Sequence, residues 1–306
     1  MSAPAASDFA RYLAAKKPID DRALNRVVWD QAWSQLKGRD RLRILEVGAG
    51  IGTMIERVLE WTDLRQADYL ALDSDPRWLV EARTRLVDWA RRRGWRIRVP
   101  KEGELGLEGE GRSFHIRFLP ADISAAMASA SIEDRWDLVL AHAVLDLLDL
   151  DRILPPLVHS VKPAGHLLLT LNFDGATAFT PRLEGDLDLR VEAAYHATMD
   201  ERRIEGRPTG GSRSGRAILE RLPAAGAEVV AVGDSDWVVL PMQRMYRDGE
   251  EYFLGWMLDT VERAVRGRPE VSASALDDWI SLRRRQLRQA ELGLVAHNLD
   301  LAARRT

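Results

Sequence analysis

The chain has 306 residues and contains no cysteine. Disulfide bonds, thiolate nucleophiles and cysteine-ligated zinc are therefore excluded. The histidines are few and widely spaced, at positions 115, 142, 159, 166, 196 and 297, and they form neither an H-x-x-x-H nor an H-E-x-x-H motif. A histidine-based metal site is accordingly not expected.

Long apolar runs and a strong excess of one charge are also absent. No segment approaches the roughly 20 consecutive apolar residues of a membrane span, and Met1–Asp8 lacks the apolar core of a signal peptide. The net charge is −3, so no overall field attracts nucleic acid. The arginine runs 91–93 and 283–285 are typical of solvated helix charge. We therefore predict a cytoplasmic protein that binds neither membrane nor nucleic acid.

The most informative segment that is present reads RILEVGAGIGT, at residues 43–53. A short apolar run carries Glu46 near its end, and three glycines then alternate with other residues before the helix-like run 53–61. This pattern predicts a strand, a tight glycine turn and the start of a helix. Glycine permits both the turn and a close approach of the backbone to a ligand.

Two kinds of cofactor site use such a turn. The dinucleotide fingerprint G-x-G-x-x-G places its third glycine at position 53, where this chain has Thr53. The sequence is instead G-x-G-x-G, with Glu46 two residues before Gly48. The glycine loop also contains no lysine, which disfavours the phosphate-binding loop of nucleoside triphosphatases.

Apolar strand-like runs alternate with helical patterns along the chain, which indicates a parallel α/β sheet with helices on both faces. The predicted strands of this kind are 42–47, 68–72, 136–141 and 166–171. The predicted helices between and after them include 77–93, 152–161 and 214–222. Two hairpins are also predicted: one joins 96–99 to 114–119 around a solvated loop, and the other joins 228–232 to 237–240.

Acidic residues follow several of these strands directly. Ligands of open parallel sheets bind beyond the carboxyl ends of the strands, so these acids are candidates for ligand contact. Asp73 can accept both hydrogen bonds of a ribose diol, although it can also cap the next helix, a role for which Asp75 is better placed. Asp122 can accept from an adenine amino group while Ile123 packs on the ring; the alternative is a loop cap.

The glycine turn with Glu46, followed by Asp73 and Asp122, resembles motifs I, II and III of the class I methyltransferases that use S-adenosylmethionine (SAM). The resemblance covers about residues 36–240. It implies a doubly wound, mostly parallel seven-stranded sheet with an antiparallel last strand, and SAM as cofactor. It places Glu46 near the methionine part of SAM, a role compatible with ordering the glycine turn. The residues expected at the cofactor are Glu46, Gly48, Ala49, Gly50, Gly52, Asp73, Ser74, Asp122, Ile123 and His142.

Methyl transfer requires an aligned acceptor and, where the acceptor carries a proton, a base. The candidate catalytic residues are His142, His196 and Asp174, chosen from a wider set that also includes Asp146, Asp200 and Asp236. His142 follows the fourth strand, at the seam between cofactor and substrate in the resembling family, so it can equally line the cofactor or bond to backbone. His196 and Asp200 share a predicted helix face, either as an oriented base or as a surface pair.

The domain organisation predicted from these patterns has three parts. A helical cap at 1–36 precedes the SAM-binding domain at 37–240, and such extensions often cover the cofactor pocket in the resembling family. Residues 174–213 are predicted to form a lid insertion, in which the glycine-rich, basic segment 210–216 is a hinge, an anion site or a plain loop. Residues 241–306 are predicted to form a helical extension.

The sequence therefore favours a SAM-dependent methyltransferase that acts on a small molecule, with an O, N or C acceptor atom left open. Alternatives are a protein or RNA methyltransferase and a SAM-binding regulator without catalysis. A nucleotide-dependent oxidoreductase is disfavoured by Thr53. The sequence does not determine the oligomeric state, and a homodimer is compatible with it.

Overall fold

A computed structural model describes residues 6–128 and 136–306. Seven strands of the described chain form the centre of its main sheet. In spatial order they are β10 (Ala227–Asp234), β12 (Gly293–Arg305), β7 (Val161–Thr180), β6 (Trp136–His142), β1 (Arg41–Val47), β2 (Gln66–Asp73) and β5 (Arg112–Pro120). Strands β7, β6, β1, β2 and β5 are parallel, whereas β12 runs antiparallel to both of its neighbours. The doubly wound, mostly parallel sheet with an antiparallel last strand is confirmed.

Helices cover both faces of this sheet and its carboxyl edge. They are α1 (Ala6–Ala23), α2 (Arg26–Ser34), α3 (Thr53–Trp61), α4 (Pro76–Arg92), α5 (Ile123–Ala128), α6 (Leu150–Ser160), α7 (Leu187–Asp200), α8 (Ser214–Arg221), α9 (Glu250–Val265) and α10 (Ala273–Arg288). Along β1, Ile44 packs with α3 and α4 on one face, and Leu45 packs with α6 and α8 on the other. Both faces are therefore buried, as parallel sheets require. None of the helices in the described part of the chain combines the length and apolarity that a membrane crossing requires.

The segment between α4 and β5 differs from the sequence-based prediction. Strand β4 (Glu104–Gly109) pairs antiparallel with β5 and with β3 (Arg96–Arg98). The predicted direct hairpin between 96–99 and 114–119 is therefore wrong. The glutamate- and glycine-rich segment is a strand because Leu105 and Leu107 alternate inward and are fully buried in the core.

The antiparallel strand lies elsewhere in the chain than predicted. Strands β10 and β11 (Trp237–Val239) both pair with β12, one after the other along its length, and not with each other. The predicted closing hairpin is therefore wrong, and so is a purely helical extension after residue 240. Helices α9 and α10 are instead inserted between two strands of one sheet.

Buried polar side chains explain why the pattern of β12 was not recognised. Asn298 and Asp300 are each 1% exposed, which is unusual for these residue types. The carboxylate of Asp300 accepts hydrogen bonds from the backbone N–H groups of Leu171, at 2.7 Å, and Asn25, at 2.8 Å. These partners are distant in sequence, so nothing local marks the segment as a buried strand.

The predicted lid also begins later than expected. Strand β7 continues to Thr180, still paired with β12, so residues 174–180 belong to the sheet. Helix α7 and a two-stranded ribbon, β8 (Arg203–Ile204) with β9 (Arg207–Pro208), follow. Helix α7 packs on α9, which also contacts α1 and α10. These helices form a layer across the carboxyl edge of the sheet.

Candidate active site

A cavity of about 550 Å³ lies at the carboxyl ends of the central strands. One end, called here the motif end, is formed by the strand ends and the glycine turn, and its lining includes Glu46, Gly48, Ala49, Gly50, Asp73, Ser74, Asp122 and Ile123. The other end, called here the helical end, is formed mainly by helices, and its lining includes Tyr12, Asp146, Tyr195, Trp237 and Trp256. Between the two ends lie Lys16, Asp20 and His142. Open parallel sheets bind their ligands at this edge.

The glycine turn requires glycine at position 48, because a side chain does not fit there. Gly48 has φ +71°, and a Cβ on it would lie 2.6 Å from Cγ2 of Val144. The next N–H, of Ala49, donates to the carbonyl of Leu72 at 2.9 Å, which ties the turn to β2. Gly52 lies outside the cavity lining; it caps α3 with φ +77° and lets that helix approach Ala82 of α4.

Two alanine substitutions in this turn are expected to differ in stability. Gly48→Ala adds both positive-φ strain and a clash with Val144, and overpacking of this kind costs about 1–3 kcal/mol of unfolding free energy. Gly50→Ala carries strain at φ +50° but its Cβ meets only Leu13, at 3.6 Å. Urea denaturation of both variants measures the difference. An equal loss in both would show that the clash is relieved by a shift of Val144.

Asp73 is held in a fixed orientation at the end of β2. Its Oδ2 accepts from the N–H of Gly50 at 2.8 Å, and its Oδ1 accepts from the N–H of Asp75 at 3.0 Å. The cap of α4 is provided by Asp75, which accepts from the N–H of Arg77 at 2.9 Å. The backbone N–H of Ser74 also faces this carboxylate, which has about four lone-pair sites in all. Burial raises the pKa of Asp73.

Asp122 and Ile123 follow β5 on the same side of the cavity. Oδ1 of Asp122 accepts from the N–H of Ala125 at 3.0 Å, so this residue does cap α5. The second carboxylate oxygen makes no hydrogen bond within the described residues. Ile123 is buried and adds an apolar surface to the cavity wall. The cap and a contact with a ligand are therefore compatible.

Glu46 lies at the floor of the motif end and is 1% exposed. Its Oε2 accepts from the hydroxyl of Tyr69 at 2.7 Å. Burial raises the pKa of Glu46 to about 8, against the lowering effects of Tyr69 and Arg57. At pH 7 the side chain is therefore mostly a neutral acid that can donate a hydrogen bond.

Stability is expected to depend on pH through Glu46. The unfolded chain releases this proton near pH 4.5, whereas the folded chain keeps it to about pH 8. Raising the pH between these values therefore favours unfolding. We expect the unfolding free energy of the wild type to fall relative to Glu46→Gln by more than about 1 kcal/mol between pH 5.5 and 8. Urea denaturation at both pH values measures this, and parallel behaviour of the two proteins would contradict it.

His142 lies between the two ends of the cavity, with both ring nitrogens in contact with the protein. Its Nδ1 is 2.8 Å from the hydroxyl of Thr170, and its Nε2 is 3.2 Å from both Oδ2 of Asp20 and Nη1 of Arg57. Burial, followed by Arg57, lowers the pKa of His142 to about 4. The ring is neutral at pH 7 and a weak base, which fits a lining residue better than a group that removes a proton.

The other two candidate catalytic residues, His196 and Asp174, lie outside the cavity lining. Nε2 of His196 is 3.1 Å from the hydroxyl of Thr177, and burial lowers its pKa. Asp174 forms a two-pronged ion pair with Arg216, at 2.8 Å for the Nη2 contact. Both side chains therefore make contacts within the protein outside the cavity lining, and their catalytic roles stay predictions.

The predicted His196–Asp200 pair is also not formed. Asp200 instead accepts from the N–H and the hydroxyl of Ser212, at 2.8 and 3.1 Å. It therefore anchors the 210–216 segment to α7. Asp236, from the wider set, is 2.7 Å from Nδ1 of His297, away from the cavity. Across residues 6–128 and 136–306, no group of three or more His, Asp or Glu side chains is placed to hold a metal ion.

Asp20 is a buried site residue that the sequence analysis did not select. It accepts from Nζ of Lys16 at 2.6 Å and from Nε1 of Trp237 at 2.9 Å, in addition to its contact with His142. Burial alone would raise the pKa of Asp20, but Lys16, His142 and Arg57 hold it well below its usual range. One carboxylate thus joins α1 to the ends of β6 and β11. In the sequence it is one of two adjacent acids on a helix, with no signal of this role.

Comparison with known families gives a match over the part of the chain that contains the residues of the motif end. Residues 45–167 match the family model of a methyltransferase domain. The matched span begins in β1, contains the glycine turn, Asp73 and Asp122, and ends in β7. No curated protein matches the chain.

Solved structures that are similar to this chain include the following three, compared by TM-score, sequence identity and the share of each chain that is covered. A proposed methyltransferase of Bacillus halodurans has a TM-score of 0.49 at 13% identity, over 90% of this chain and 96% of that one. A SAM-dependent methyltransferase of Geobacter sulfurreducens, in complex with S-adenosyl-L-homocysteine, has a TM-score of 0.44 at 13% identity, over 93% of each chain. A phosphoethanolamine N-methyltransferase of Haemonchus contortus has a TM-score of 0.40 at 14% identity, over 91% of this chain and 52% of that one.

Proposed function

We propose that the chain, whose residues 45–167 match the family model of a methyltransferase domain, is a SAM-dependent methyltransferase that methylates a small molecule held at the helical end of the cavity. The methyl donor is SAM. The cavity supports this proposal because residues of both the motif end and the helical end line the same space. Its volume of about 550 Å³ is within the range of small-molecule sites.

The residues of the motif end fit SAM. We assign Asp73 to the ribose diol, because its carboxylate lines the cavity at the end of β2 and has about four lone-pair sites, which exceeds the three backbone N–H groups that face it. We assign Asp122 to the adenine amino group, with Ile123 against the ring. Gly48, Ala49 and Gly50 line the cavity together with Glu46, and we place the methionine part beside them. When bound, SAM supplies a methyl group on a positively charged sulfur that is already reactive toward a nucleophile.

The helical layer supports a small acceptor over a macromolecular one. Helix α1 closes one side of the cavity, and its Arg22 pairs with Glu250 of α9, which closes another. A protein side chain or an RNA base would have to pass between these helices. The contribution of the protein to the rate is then to align the acceptor with the methyl group and to exclude water.

Calorimetric titration tests the cofactor, and labelled turnover tests the reaction. We expect SAM and its product S-adenosylhomocysteine (SAH) to bind and NADH not to bind. After incubation of a small-molecule extract with methyl-labelled SAM, we expect the label in a compound of low mass. Binding without turnover on any acceptor would favour a regulator, and label in the protein or RNA fraction would contradict a small-molecule acceptor.

A further inference from the structure

Three polar groups at the helical end lack a protein partner. They are the hydroxyls of Tyr12 in α1 and Tyr195 in α7, and the carboxylate of Asp146 in the short 3-10 turn Leu145–Leu147 that follows β6. Within the described residues, neither hydroxyl makes a hydrogen bond, and only its own backbone N–H faces the carboxylate of Asp146. All three groups line the cavity, so a polar ligand group bound there is within their reach.

The three groups lie within electrostatic reach of one another. Burial raises the pKa of Asp146, and burial followed by the charge of Asp146 raises the pKa of Tyr195 to about 12. Burial, Asp20, Tyr195 and Asp146 raise the pKa of Tyr12 in the same way. Both tyrosines are therefore neutral at pH 7, and the one ionisable acid of the three would be stabilised in its charged form by an incoming cation.

No side chain of the described chain supplies that cation. The positive groups that act on Asp146 are Arg202 and Lys16, and neither forms an ion pair with it. The ammonium of Lys16 is already held by Asp20 at 2.6 Å. Arg202 follows α7 and lies outside the cavity lining. Asp146 thus lines the cavity without an ion-pair partner among the described residues.

The same cavity already contains one ammonium site made by the protein itself. Nζ of Lys16 is bound by the carboxylate of Asp20 and lies 5.0 Å from the centre of the Trp237 ring. A carboxylate together with an aromatic face is a favourable environment for a cation. The lining of the helical end also contains a carboxylate and aromatic rings. The carboxylate is that of Asp146, and the rings are those of Tyr12 and Trp256, which are stacked with 4.8 Å between their centres.

We propose that the methyl acceptor is a primary or secondary amine whose nitrogen is bound by Asp146, Tyr12 and Tyr195. This inference rests on the proposed function. An ammonium carries two or three N–H donors, which suit a carboxylate and two phenol oxygens acting as acceptors. A hydroxyl acceptor offers a single donor, and a carboxylate acceptor would be repelled by Asp146.

The reaction balances with these groups alone. The bound ammonium gives one proton to the carboxylate of Asp146, which leaves a lone pair on nitrogen. That lone pair forms the new bond to the methyl carbon while the carbon–sulfur bond of SAM breaks, and its electron pair stays on sulfur in neutral SAH. The product is the methylated ammonium, and the proton on Asp146 passes to solvent. A carboxyl group whose pKa is raised by burial is a better base than an exposed one.

A pair of matched probes tests the charge preference directly. Benzylamine and benzyl alcohol share a ring and differ in the ammonium, and each is titrated into SAH-saturated protein. We expect benzylamine to bind at least about tenfold more tightly. Asp146→Asn is expected to remove most of this preference and to leave the affinity for benzyl alcohol within about twofold. Equal binding of the two probes to the wild type would overturn the proposal.

Control variants separate the role of Asp146 from folding and from cofactor binding. Asp151→Asn alters an exposed acid five residues further on, and it is expected to leave the preference unchanged. Tyr12→Phe and Tyr195→Phe keep the rings and are each expected to weaken benzylamine binding about threefold. An unchanged preference in Asp146→Asn that still binds SAH would overturn the amine assignment. Failure of the wild type to bind SAH would overturn the proposed function instead.

The chemical class of the natural product gives an independent readout. After turnover with methyl-labelled SAM and a small-molecule extract, the low-mass fraction is passed over a cation exchanger at acidic pH. We expect the label to be retained, because a methylated amine is positively charged there. Label in the flow-through, as an ether, ester or neutral C-methyl compound, would overturn the proposal and leave the methyltransferase assignment intact.

Discussion

Asp20→Ala is expected to lower the unfolding free energy by about 3–5 kcal/mol, the cost of leaving a buried charge unpaired. The variant removes the carboxylate that holds Lys16 at 2.6 Å and Trp237 at 2.9 Å, while the ammonium of Lys16 remains in a buried position. It also removes the contact between α1 and His142. We therefore expect weaker SAH binding as well, since α1 closes the cavity. Urea denaturation and calorimetry measure the two effects.

Two further variants show whether the unpaired charge of Lys16 causes the loss of unfolding free energy. Lys16→Met combined with Asp20→Ala removes both charges and is expected to recover part of the lost stability, because no unpaired ammonium remains. Asp88→Ala is a matched surface control, since Asp88 is exposed and makes only a 3.5 Å contact with Arg91. If Asp20→Ala lowered the unfolding free energy no more than this control does, Asp20 would not anchor α1.

Asp73→Ala is expected to weaken SAH binding about 10- to 100-fold, equivalent to ~1–3 kcal/mol. The substitution removes the acceptor proposed for the ribose diol. It also releases the N–H of Gly50, which Asp73 binds at 2.8 Å, so the glycine turn keeps only the hydrogen bond from Ala49 to Leu72 as a backbone link to β2. Both effects act on the same ligand. Calorimetric titration with SAH, which cannot turn over, measures the loss without interference from the reaction.

Asp68→Ala is the matched control on the same strand. Asp68 lies toward the other end of β2, where it pairs with Arg41 at 2.7 Å, and it does not line the cavity. The SAH affinity of the Asp68→Ala variant is expected to equal that of the wild type. Asp73→Asn keeps one acceptor oxygen and is expected to be intermediate. Unchanged SAH affinity in Asp73→Ala would remove this residue from the ribose role.

The motif end of the cavity was accessible from the sequence because its determinants are local. A strand, a glycine turn and a helix start occupy residues 41–61, and each has a short-range pattern of apolar spacing or backbone freedom. Asp73 and Asp122 were found because each follows a strand directly, and parallel strands bring their carboxyl ends to one edge. The fold class followed from the same alternation of strands and helices.

The antiparallel strand could not be found in this way. Strand β12 contains buried polar residues, and its position in the sheet depends on hydrogen bonds from Asp300 to Leu171 and Asn25, more than one hundred positions away. A strand that pairs over such distances is stabilised by tertiary contacts and not by its own pattern. For the same reason His196 and Asp200 share a helix, yet they contact Thr177 and Ser212.

The sequence by itself therefore determined the sheet and the residues at the motif end of the cavity, since a motif of a few residues positions backbone and carboxylate together. Only the tertiary structure decided the helical end. Tyr12, Asp146, Tyr195 and Trp256 come from four separate segments, and they meet because α9 and α10 are inserted before the last strand, which brings α9 against α1 and α7. Which side chains lack a partner in that cavity is a property of packing over long range, and no local pattern encodes it.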